Sequence, residues 1–135
     1  MVKPPRRPDP FASRATPHGP DKEYRQIGFA LPKFYLRVLD GEAAFLGQRR
    51  SQVLELLVLR KAGRLVVERS PHAPKYRVEG DELHEVERYL WHCRTEIKEH
   101  LDRLRERMGN IPPRTWVTLA LNEWIGLPSG VGDLK

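Results

Sequence analysis

A single cysteine, Cys93, is the entire thiol content of this 135-residue chain. An intramolecular disulfide framework is therefore excluded, and a lone thiol fits a reducing compartment. Long apolar runs are missing as well: none approaches the ~20 residues that a bilayer-spanning helix needs. The basic N-terminus lacks the apolar centre of a secretory leader. The expectation is a cytoplasmic protein, nucleoid-associated if bacterial, with no membrane partner. Aromatic residues make up 8% and apolar residues 39%, enough for a small core but not for a large enzyme with a deep cleft. The chain has no glycine-rich phosphate loop, no paired-carboxylate motif and no nucleophile matched to a base. No catalytic residue, cofactor or metal is expected. Positive charge is what the chain has in excess, with 24 Lys and Arg against 18 Asp and Glu, a net charge of +6. Such an excess points to a polyanionic partner and says nothing of fold. Residues 1–60 hold eleven basic and six acidic groups and residues 61–135 thirteen and twelve. The first part thus carries +5 and the second +1.

Residues 1–21 contain six of the twelve prolines, and beyond Met1 and Val2 their only large apolar side chain is Phe11. Too little surface can be buried there to offset the entropy of ordering, which predicts a disordered basic arm. From residue 23 the pattern alternates: Ile27, Phe29 and Leu31 lie on one side, Gln26, Gly28 and Ala30 on the other. A period of two is the mark of a half-buried strand, stopped here by Pro32. Leu36, Leu39, Ala43 and Leu46 then recur at three and four, predicting a helix over 33–46 that Gly41 weakens and Gly47 ends. A second helix is expected over 50–62, closed by Gly63. Val53 to Leu59 make it apolar nearly all round, so it must be buried all round, by partner chains or by the C-terminal half.

RLVVER and KYRVE, separated by Ser70-Pro71-His72-Ala73-Pro74, read as a basic β-hairpin over 64–79. Leu83, Val86, Leu90, Cys93, Ile97, Leu101, Leu104 and Met108 follow helical spacing, predicting one long helix over 81–108. At 1.5 Å per residue it would be a rod of about 42 Å with a heptad-like seam. A last helix is expected from about Arg114 to Ile125, burying Trp116, Val117, Ala120, Leu121 and Trp124. Beyond the heptad-like spacing no internal repeat is evident. On the long helix His92, Glu96 and His100 stand at successive i+4 steps. Two of them could ligate a divalent cation, but no further ligands cluster with them, and the stripe reads as solvated. Cys93 falls in the apolar stripe and reads as a buried thiol. Trp91, Trp116 and Trp124 read as core or interface anchors.

The segment Arg25–Val58 resembles the ribbon-helix-helix DNA-binding proteins of the Arc/MetJ type. The resemblance rests on RQIGFALP, KFYLRVLDGEAAFLG and QRRSQVLELLV: an alternating strand ending in Leu-Pro, a helix of fourteen positions, then a glycine and a basic-Ser helix start. It implies a mainly α fold with short β. A ribbon-helix-helix dimer core over 22–63 would be followed by the hairpin and by a C-terminal helical region, 80–135, for oligomerisation or a protein partner. Family members pair strands from two chains and insert the ribbon into the major groove of double-stranded DNA. By position, the resemblance assigns DNA contacts to Arg25, Gln26, Gly28, Ala30, Lys33, Arg49, Arg50 and Ser51. Gln26, Gly28 and Ala30 would face the bases; Arg49, Arg50 and Ser51 would hold phosphate at a helix N-terminus. Gly28 and Ala30 offer no side-chain hydrogen bond, so base readout through this strand is thin.

Two alternatives stay open. Ala43, Gly47, Val53 and Leu56 also fit helix-turn-helix spacing, and residues 64–79 look like the wing of a MarR-type winged-helix regulator. Arg49, Arg50 and Gln52 would then enter the groove, with Arg69, His72 and Lys75 on the backbone. The other alternative is a dimeric, antitoxin-like protein-interaction module that does not bind DNA. In each case a homodimer or higher homo-oligomer is expected.

Overall fold

The computed structural model describes residues 24–127; the arm expected over 1–21 lies outside them. Six elements follow in order. They are strand β1 (Tyr24–Pro32), helices α1 (Lys33–Leu46) and α2 (Arg50–Lys61), strand β2 (Val86–Arg94), and helices α3 (Thr95–Arg107) and α4 (Pro113–Ile125). Among the described residues the fold is mainly helical, with one two-stranded antiparallel sheet, β1 against β2.

The order is strand–helix–helix written twice. Tyr24 and Val86 open the strands, Lys33 and Thr95 the first helices, and Gly47 and Gly109 close those helices. Each pair is 62 positions apart (86 − 24 and 109 − 47). One extra residue before Pro113 makes the offset 63 for α2 and α4, which end at Gly63 and Gly126. All four glycines take positive φ, and the residue after each donates five positions back: Gln48 to Ala43 O, Arg64 to Leu59 O, Asn110 to Arg105 O and Leu127 to Asn122 O. This is the closure that a left-handed residue permits and a Cβ penalises. The nine-rung ladder centres on Gly28 opposite Leu90, with Tyr24 opposite Arg94 at one end and Pro32 opposite Val86 at the other. The ladder is symmetric about that central rung, with four pairs on either side.

Alternation does what period two requires. Ile27, Phe29 and Leu31 of β1 and Trp91 and Cys93 of β2 are buried, with Tyr89 partly covered and edge-on to Phe29 at 5.9 Å. Beneath the ribbon, Phe34, Tyr35, Val38 and Leu39 of α1 meet Val53, Leu54, Leu57 and Val58 of α2. Ile97 and Leu101 of α3 and Trp116, Val117 and Leu121 of α4 complete one continuous core. The burial that the apolar α2 demands comes from the second unit of the same chain.

Two expectations are overturned. Residues 64–79 contain no strand; they are an irregular linker, so neither the hairpin nor a wing exists. The 81–108 helix is absent: a turn precedes β2, and only Thr95–Arg107 is helical. Val86 and Leu90, members of the supposed stripe, are each 48% exposed. Over its described part the region 80–135 packs into the same core as the first unit.

The linker is held by polar side chains. Arg37 grips Glu82 with both Nε (2.8 Å) and Nη2 (2.9 Å) and donates to Arg77 O at 2.7 Å. The first amides of α1, Lys33 and Phe34, donate to Glu85 O (2.7 Å) and Glu82 O (3.2 Å). At the centre Glu42 of α1, only 1% exposed, accepts from Arg69 Nε (2.9 Å) and Nη2 (2.8 Å), Tyr76 Oη (2.8 Å) and Trp124 Nε1 (2.8 Å). Burial pushes its pKa up, but the bonds from Arg69, Trp124 and Tyr76 outweigh this and hold the carboxyl below the ordinary range. Gly41 now has a reason: a Cβ there would stand 2.2 Å from Tyr76 Oη, so the bare backbone is the seat on which Tyr76 lies.

Candidate nucleic-acid interface

The side of the ribbon away from the helices is unpacked. β1 presents Gln26, Gly28 and Ala30 there, and β2 presents Arg88, Leu90 and His92. The register sets Gln26 opposite His92, Gly28 opposite Leu90 and Ala30 opposite Arg88. Arg88 lies diagonally over Gly28, where an added Cβ would come within 2.8 Å of its Nη2 and 3.4 Å of its Cζ. Gly28 therefore makes room for a guanidinium, and among the described residues that guanidinium has no ion pair.

Beside the ribbon stands the start of α2. Arg49 is exposed at its N-cap, and its own amide donates to Gln52 Oε1 at 2.8 Å. Arg50 is committed: Nε and Nη2 reach the Asp40 carboxylate at 2.6 and 3.0 Å, and the guanidinium sits 5.6 Å from the Tyr89 ring centroid. The contact with Tyr89 fixes the α2 start against β2. Ser51 is partly buried in the first turn. The related start of α4 is built differently, with Pro112 at the cap, Pro113 in the first turn and exposed Arg114 next.

The structure thus brings Gln26, Gly28, Ala30, Arg49, Arg50 and Ser51 to the ribbon and its flank. Arg25 lies at the ribbon's end, its Nη1 bonded to Tyr24 O at 3.3 Å. Lys33 faces Glu85 at 3.6 Å and Glu87 at 3.9 Å. Arg69, the wing contact of the alternative reading, is held against Glu42 and is not a surface cation. His92 sits on a strand and His100 on a helix, so the i+4 stripe does not exist. Among the described residues no group of three or more His, Cys, Asp or Glu side chains stands together as a metal site. Cys93 is buried, and burial raises its thiol to about 11. Arg88, Leu90 and His92 are the residues that sequence reasoning missed. The alternation of Tyr89, Trp91 and Cys93 and the repeated interval between helix-closing glycines were the signals for them.

Chemically, this face offers one amide, one guanidinium, one imidazole and an apolar centre on a ribbon of the kind that a major groove admits. Among the described residues no helix is long and apolar enough to cross a membrane. No family model, no curated protein and no solved structure matches this chain.

Proposed function

We propose that this chain is a ribbon-helix-helix DNA-binding protein in which one polypeptide supplies both halves, acting as a transcriptional regulator or an architectural protein on duplex DNA. The observation that carries this reading is the two-stranded ribbon, packed on one side and open on the other, with Gln26, Arg88 and His92 on its open side. The ribbon enters the major groove, Gln26 pairs with adenine and Arg88 with guanine, each bidentate. The α2 start with Arg49, and Arg114 at the start of α4, hold the backbone. Because the two strands differ, the preferred site is not a palindrome, unlike that of a homodimer with two copies of Gln26.

The test is fluorescence anisotropy on a selected duplex, its half-site variants and random DNA at one fixed salt concentration. Gln26→Ala should relax the preference in one half-site and Arg88→Ala in the other, each by ~1–3 kcal/mol. Arg49→Ala should weaken binding to all sequences alike and reduce the salt slope by about one. A wild-type protein without salt-dependent affinity for any duplex would refute the reading.

A second reading draws on the exposed Leu90 at the ribbon centre and on Phe45, Leu46 and Met108, which are also exposed. These favour a module that binds another protein, and they would be its contact residues if DNA binding is absent.

A further inference from the structure

One helix length from the ribbon lies a second concentration of positive charge, in a concavity of about 100 Å³ lined by Ala62, Arg64, His100, Arg103, Leu104 and Arg107. His100, Arg103, Leu104 and Arg107 stand at i, i+3, i+4 and i+7, one face of α3. Arg64 enters from the other unit, just past the C-cap of α2. Since α2 has twelve residues at 1.5 Å each, this mouth lies about 18 Å from the α2 start that flanks the ribbon.

The three guanidiniums have no carboxylate partner among the described residues. The ion pairs that α3 makes run to Asp102, from Lys98 at 2.7 Å and Arg105 at 2.9 Å. Glu96, Glu99 and Glu106, on the same helix, pair with none of the three. Among the described residues Arg103 meets His100, Nη2 to Nδ1 at 3.1 Å. Like charges gathered in one concavity repel, and an anion relieves the repulsion while accepting several charge-assisted bonds. A concavity of about 100 Å³ has room for a few waters. That suits one tetrahedral oxyanion and is far below the ~300 Å³ and more of a site for a drug-sized molecule.

From this arrangement we infer that Arg64, His100, Arg103 and Arg107 bind a phosphoryl oxyanion, clasping the end of α2 to α3 and so one unit to the other. The inference does not depend on the ribbon's function. The test uses the full chain and inorganic phosphate, with chloride at matched ionic strength as reference, read by calorimetric titration and by the melting midpoint. Phosphate should bind and raise the midpoint. Arg103→Ala with Arg107→Ala should lose at least ~10-fold in phosphate affinity, since each removes a bond to a charged group. Arg64→Ala, outside any helix, should do likewise. Lys75→Ala with Arg77→Ala, equal in charge change but in the linker, should leave phosphate binding unaltered. Repeating the titration with saturating duplex DNA separates the sources. Phosphate still bound identifies a free phosphoryl ligand; phosphate displaced identifies the nucleic-acid backbone, and either upholds the site. No phosphate effect beyond chloride, or an equal loss in the linker control, would overturn it.

Discussion

Replacing Glu42 by alanine should be the most damaging single change in the polar interior. The carboxylate is 1% exposed and accepts four hydrogen bonds, two from Arg69 and one each from Tyr76 and Trp124. Truncation strands a guanidinium whose side chain is only 16% exposed, together with a phenol and an indole N–H. Removing one partner of a buried pair costs ~3–5 kcal/mol, most of it the price of the uncompensated charge. For a chain of this length that corresponds to a fall in melting temperature of roughly 10–20 °C. Urea unfolding followed by circular dichroism measures it, and the double variant Glu42→Ala with Arg69→Ala should be less damaged than the sum of the singles. The sign with pH follows from the depressed carboxyl. A folded-state pKa below the unfolded value, near 4.5, contributes stability above about pH 4.5 that is lost as pH falls through the lower, folded value. Glu42→Gln should lack that loss. A Glu42→Ala cost under ~1 kcal/mol, or strict additivity with Arg69→Ala, would refute the view that this carboxylate pins the linker and the second unit to α1.

Gly41→Ala should destabilise by about 1 kcal/mol despite the helix-propensity gain, because Tyr76 must leave Glu42; with Tyr76→Ala already present, the same change should stabilise, as paired denaturation curves will show. Cys93, buried and raised to about 11, should resist an aromatic disulfide reagent at pH 8 in the native state and react at once in denaturant; fast native labelling would contradict its placement in the core. Since β1 finds its partner in β2 of the same chain, sedimentation with circular dichroism at micromolar concentration should show a folded monomer with its helical content intact, whereas a folded state that vanishes on dilution would mean that a second copy is needed.

The local signals were legible in the residues alone. The alternation of Ile27, Phe29 and Leu31, the break at Pro32 and the fourteen positions from Lys33 to Leu46 specify β1 and α1 as observed. The glycines at 47, 63 and 126 mark helix ends where only a left-handed residue closes the last turn. Trp116, Val117, Ala120, Leu121 and Trp124 are buried on α4 as their spacing requires. Gln26, Gly28 and Ala30 were legible as one face of a strand, though not what would stand opposite them. That was decided by tertiary structure, because residues 86–94 satisfy two periods at once. Val86, Leu90 and Cys93 recur at helical spacing, while Tyr89, Trp91 and Cys93 alternate. A strand this short has no hydrogen bonds of its own. It becomes the stable choice only where another edge supplies them, and that edge, β1, lies 62 positions away, beyond the reach of any window read along the chain. The same pairing sets the residues of β2 against those of β1 in an asymmetric ribbon, with Arg88 laid over Gly28. It also closes the core through the second unit, because a ribbon buried on one face needs helices from both units to cover it.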